Sequence, residues 1–111
     1  MPADPGLVEL LRDDLAAEPV TEQRMFGGLC FLLHGHMVTG TFKDAALYRV
    51  GKPNHATALA LPGVTAMLMR DKVMAGFVTL AAADCADDAR RAALTALALT
   101  FVRSLPAKQS Q

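Results

Sequence analysis

Arg24-Met25-Phe26-Gly27-Gly28-Leu29-Cys30-Phe31-Leu32-Leu33-His34-Gly35-His36-Met37 is the stretch on which the fold turns. A cation, an aromatic side chain and two glycines lead into an apolar run that breaks at Gly35 and resumes at Met37. Residues 29–33 are short, apolar and bounded by glycines, the pattern of a buried strand. The segment before them reads as a tight lead-in loop. Residues 37–42 carry Val38, Thr39, Thr41 and Phe42, side chains that suit a pleated surface, and form the hairpin partner.

Working outward, Lys43-Asp44-Ala45 is a turn and residues 47–50 are a third strand ended by Gly51. Pro53 opens a short helix to about residue 61, closed by Pro62-Gly63. Residues 64–69 and 77–80 form a second hairpin across Asp71-Lys72. Upstream, Asp4 as cap and Pro5 at the first helical position start a helix. Leu7, Leu10, Leu11 and Leu15 give it one apolar face over residues 5–17, and Glu18-Pro19 ends it. Downstream, Asp84 is the expected cap of a long helix, with Asp87 and Asp88 in its first turn and Arg103 in its last. Leu94, Leu97, Ala98, Phe101, Val102 and Leu105 are its apolar stripe, and residues 107–111 are a frayed tail.

The order α-β-β-β-α-β-β-α defines an α+β fold. Consecutive strands pair antiparallel, and the helices lie on the sheet as a two-layer α/β sandwich. With 111 residues, the chain reads as one domain over 1–111 with its core at about 5–106.

Apolar residues make up 52% of the chain, high for a soluble domain, so either burial is heavy or an apolar patch meets a partner. Eleven basic and eleven acidic residues cancel, which removes any global basic field for nucleic acid. Residues 4–22 hold six acids and one arginine, whereas residues 43–72 hold five basic residues and two aspartates. Cys30 and Cys85 lie far apart. Residues 1–6 have neither a basic nor an apolar region, and no apolar run approaches the length of a membrane span. The expectation is a reduced, cytoplasmic protein without membrane contact.

The segments Arg24-Met25-Phe26-Gly27-Gly28-Leu29, Gly35-His36-Met37, Leu47-Tyr48-Arg49-Val50-Gly51, Pro62-Gly63-Val64, Val73-Met74-Ala75-Gly76-Phe77-Val78 and Phe101-Val102-Arg103-Ser104-Leu105-Pro106 follow one another in order. Together they resemble the N-terminal domain of the TfoX/Sxy family, over about residues 7–108. The Met-Phe-Gly-Gly motif with its hairpin is the most specific part. The resemblance implies a two-layer α/β domain. Full-length members regulate natural competence and DNA uptake with a cyclic-AMP receptor protein at promoters, and are not known as enzymes. Many members are stand-alone domains, and a chain ending at Gln111 reads as one of these. Ala75 is a departure, because many relatives carry arginine there.

The candidate partner-binding residues are Arg24, Phe26, Gly27, Gly28, Arg49, Lys52, Arg70 and Lys72. Gly27-Gly28 beside Arg24 would suit an anion cradled on backbone N–H groups, but the spacing is not a P-loop. Positive φ at the start of a strand explains the same glycines. Arg49, Lys52, Arg70 and Lys72 form a basic rim if the third strand's end neighbours the second hairpin's tip. Such a rim would meet phosphates or an acidic partner. Without interleaved aromatics it does not suit single-strand stacking.

Cys30, His34 and His36 give three metal ligands at most where a closed zinc site wants four, so no metal is expected. Cys85 beside Asp84 lies near a helix start, which lowers a thiol pKa, but no histidine is close in sequence. No nucleophile elbow, metalloprotease motif or dinucleotide fingerprint occurs. The expectation is a non-enzymatic protein without cofactor, acting by protein contact, with a nucleic-acid module or a small enzyme as the rival readings. A homodimer is also expected. Three helices cover one face of a five-stranded sheet, which leaves Cys30, Leu32 and Met67 or Met69 toward water on the other.

Overall fold

The computed structural model describes residues 5–25 and 27–106. The expected Asp4 cap and the tail at 107–111 lie outside them. Helix α1 (Pro5–Asp14) buries Leu7, Val8 and Leu11, with Leu15 just past its end. Six strands follow: β1 (Thr21–Met25), β2 (Gly28–Leu33), β3 (His36–Phe42), β4 (Ala45–Arg49), β5 (Val64–Met69) and β6 (Lys72–Leu80). A 3-10 turn (Lys52–Asn54) and helix α2 (His55–Leu59) separate β4 from β5. A second 3-10 turn (Ala82–Asp84) leads to helix α3 (Asp88–Arg103).

All strand neighbours are antiparallel, in the order β1-β2-β3-β4-β6-β5. The α+β class is therefore as expected, with one strand more than read. The lead-in is an edge strand over Thr21–Met25, not a loop. β1 is polar and exposed through Arg24, so no apolar alternation betrays it. Its hydrogen bonds to β2 and an ion pair hold it: Arg12 on α1 donates to both Glu22 carboxylate oxygens at 2.8 and 2.9 Å. This contact keeps the Glu22 carboxyl below its usual range.

Helices α1 and α3 pack on one face of the sheet, over β3 and β4, while α2 packs beside β5 and β6. The residues between these layers form the main core, built on Leu11, Leu15, Phe31, Tyr48, Leu80, Leu94 and Val102. Alternation along the strands puts Cys30 and Leu47 on the opposite face, where they join Met37 and Met67 in a second buried cluster. Among the described residues no helix covers this face. Bulges between Phe31 and Leu32 and between Ala66 and Leu68 break the regular pairing. Bulges bend strands and raise their twist, so the outer side chains fold over one another. Cys30 and Met67 are thus buried in the single chain, contrary to the expected exposure; Leu32 is half-buried and Met69 exposed.

The long helix also begins later than expected. Asp87, not Asp84, is its cap and accepts from the Arg90 N–H at 3.0 Å. Asp84 sits in the 3-10 turn and pairs with Arg90 at 2.7 Å. Three nearby aspartates all suit a cap; the extra turn decides which one takes it.

Arg91 on α3 is 4% exposed. It donates to both Asp14 carboxylate oxygens at 2.9 and 3.2 Å, to the Cys85 carbonyl at 2.7 Å, and pairs with Asp88 at 2.8 Å. Removing one partner from such a pair leaves a buried charge. Asp14→Ala is expected to destabilise by about 2–4 kcal/mol in chemical denaturation, because Asp88 and Cys85 still hold part of the guanidinium. Asp14→Leu combined with Arg91→Met should recover most of that loss, since neither variant side chain carries charge. A double variant as unstable as the single one overturns this account.

Tyr48 is fully buried, and burial pushes its phenol well above the ordinary value. Its hydroxyl lies in the field of Thr95, Asp14, Cys85 and Arg91, but neither it nor the Thr95 hydroxyl has a partner with hydrogen-bond geometry among the described residues. The folded state therefore keeps the proton that the unfolded chain releases above pH ~10. Below that pH the group adds nothing to the pH dependence. Above it, stability falls by up to about 1.4 kcal/mol per pH unit. Tyr48 is the one tyrosine of the chain. Tyrosinate absorbance should rise only with unfolding, and Tyr48→Phe should remove the alkaline slope. Tyrosinate forming in the folded protein near pH 10 would contradict the burial argument.

Candidate functional site: a basic groove at the end of the sheet

The last β4–β6 pair is Arg49 opposite Phe77. Beyond it, β4 turns into the 3-10 segment, and β6 runs on toward its hairpin with β5. Gly51 makes the turn at φ +85°, and its missing side chain admits α3: a Cβ there would lie 2.2 Å from the Phe101 ring. The Gly76 carbonyl accepts from both the Val50 and Gly51 N–H groups at 2.9 and 3.0 Å. The Gly76 N–H donates to His55 Nδ1 at 2.9 Å, and the Asn54 amide donates to the Val50 carbonyl at 3.1 Å. These bonds fix the backbone around a groove of about 520 Å³, walled by Arg49, Lys52, Pro53, Ala75, Phe77 and Phe101.

The Arg49 guanidinium carbon lies 5.8 Å from the Phe77 ring centre and 5.5 Å from that of Phe101, within the range of cation–π attraction. Arg49 is half-buried and Lys52 exposed.

The structure brings Arg49 and Lys52 together, but not the rest of the expected rim. Arg70 and Asp71 form the β5–β6 turn, both at positive φ, with Lys72 next to them. This tip lies past the last β4–β6 pair. Arg24 lies on β1 at the opposite sheet edge. Phe26 lies outside the described residues. Gly27 does take a positive φ, +75°. Gly28 is needed for a different reason: a Cβ would meet the Thr41 hydroxyl at 2.3 Å. Sequence reasoning missed Phe101 as a wall of this site. It lies far from Arg49 in the chain and within a stripe that reads wholly as core.

The reactive side chains occupy other places. Burial raises the Cys30 pKa, which disfavours a thiolate. The Cys85 thiol donates to the Leu80 and Ala81 carbonyls at 3.6 and 3.4 Å. His34 is in the exposed β2–β3 turn, while His36 Nε2–H donates to the Pro106 carbonyl at 2.6 Å. Among the described residues, no three histidine, cysteine, aspartate or glutamate side chains converge as metal ligands. No helix among these residues is long and apolar enough to cross a membrane.

No curated protein and no solved structure matches the chain. The family model described as the TfoX N-terminal domain matches residues 10–102, and with most of its length so matched the chain belongs to that family.

Proposed function

We propose that this chain is a non-enzymatic, cytoplasmic contact domain that forms a homodimer and serves transcriptional regulation of competence and DNA uptake. Family membership supports the regulatory context. The observation that carries the contact role is the difference between the two sheet edges. β1 presents Glu22 and Arg24, charges of the kind that protect an edge strand. β5, Val-Thr-Ala-Met-Leu-Met, carries no charge. Its outer end exposes Leu68 and Met69, and Val73 stands opposite Leu68 on β6; Leu68 and Val73 are each more than half exposed.

An uncharged edge with apolar side chains is a template for pairing with another strand. A second copy brings an identical edge, and two antiparallel β5 strands satisfy a two-fold axis. The wild-type protein should scatter light with twice the 11.8 kDa of the chain. Leu68→Lys places charge on the edge and should return the mass to one chain. A single-chain mass for wild type at micromolar concentration overturns the dimer. In cells, removing the gene should lower expression of DNA-uptake genes; unchanged expression overturns the regulatory role.

The rival is direct DNA contact through Arg70 and Lys72 at the hairpin tip. Two cations on a chain of zero net charge release few counterions, so little affinity is expected at physiological salt. Tight, specific binding of the isolated chain in a gel-shift assay reverses this ranking.

A further inference from the structure

We propose that the groove at Arg49 is a binding site for a small organic acid with one carboxylate on an apolar body. This inference is independent of the contact role assigned to the β5 edge.

Its first support is the state of the Arg49 side chain. Arg12, Arg90, Arg91 and Arg103 are ion-paired. Arg24, Arg49 and Arg70 make no hydrogen bond or ion pair among the described residues, and of these only Arg49 is withdrawn from water. A guanidinium taken partly out of water without an acceptor carries a desolvation cost that an acceptor relieves. The rings of Phe77 and Phe101 flank the guanidinium and restrict its position, and neither offers it an oxygen acceptor. The fork is thus held in place with its donors available, and ordering it costs a ligand little.

The walls define the rest of the ligand. Pro53, Ala75, Phe77 and Phe101 offer apolar surface, and Lys52 adds a second cation at the rim. The volume is in the range of small-molecule sites. A carboxylate matches one guanidinium in a bidentate pair. A phosphate would want further donors, and the nearby backbone amides of Gly51 and Gly76 are already engaged by the Gly76 carbonyl and His55. With one guanidinium held in place and apolar walls around it, the ligand is a carboxylate on a largely apolar body. Ala75, small and exposed, leaves the groove open.

Calorimetric titration of the full chain with 3-phenylpropanoate and with octanoate tests this. Saturable binding of at least one acid is expected, with 3-phenylpropanol and acetate each at least about tenfold weaker, because one lacks the charge and the other the apolar body. Arg49→Gln should weaken the acid about tenfold or more and leave the alcohol unchanged. Ala75→Glu, on an exposed position, should do the same by supplying a competing carboxylate from the protein itself. Circular dichroism checks that each variant is folded. Equal affinity for acid and alcohol, acid binding unaffected by both variants, or no acid binding up to about 10 mM, overturns the proposal. None of these results bears on the mass or edge-strand tests, so the two readings fail separately.

Discussion

The arrangement of this molecule depends on the buried guanidinium of Arg91. One side chain joins the C-terminal end of α1, the turn before α3 and the first turn of α3. The helices it joins cover one face of the sheet, so its geometry sets how both lie on β3 and β4. Charge removed from water tolerates few alternatives: the acceptors must be present and correctly placed, or the burial is costly. Apolar packing alone would permit small slides of α3 across the strands. The bonds to Asp14 and the Cys85 carbonyl do not. Near them lies the buried Tyr48 hydroxyl, in the field of Asp14 and Arg91.

The position of α3 in turn builds the groove. Phe101 lies near the far end of the helix from Arg91, and it packs where Gly51 has no side chain. Arg49 is then confined between strand and helix, its fork unpaired among the described residues. The same sheet meets the second demand of its composition by bending. With bulges in the β2–β3 and β5–β6 pairings, the face that no helix among the described residues covers buries Cys30, Met37, Leu47 and Met67 within one chain. Most of the large apolar side chains belong to these two clusters. Of the large apolar side chains left exposed, Leu68, Met69 and Val73 lie on the β5–β6 hairpin and Leu59 on α2.

Much of the fold was legible in the residues. Leu29 to Leu33 is a short apolar run bounded by glycines, the β3 run carries side chains that suit a pleated surface, and the leucines of α1 recur at helical spacing, so each element is written in its local composition. β1 was not legible, since an exposed edge strand has no buried face to repeat; it exists through hydrogen bonds to β2 and the Arg12–Glu22 pair. The cap of α3 was ambiguous because Asp84, Asp87 and Asp88 are chemically alike, and only the preceding 3-10 turn distinguishes them. The supposed rim divided because the spacing of Arg49, Lys52, Arg70 and Lys72 says nothing of how far a hairpin projects.

By itself the sequence determined the α+β class, the antiparallel pairing, the helix-covered face and the family. These follow from local periodicity, glycine and proline placement and an ordered motif set, all of which act over a few residues. Tertiary structure alone decided that the outer face closes on itself, that Arg91 is buried with Asp14, and that Arg49 meets Phe77 and Phe101. Each of these joins residues distant in the chain, and their proximity is set by strand order, bulges and helix placement, which no short window of sequence records.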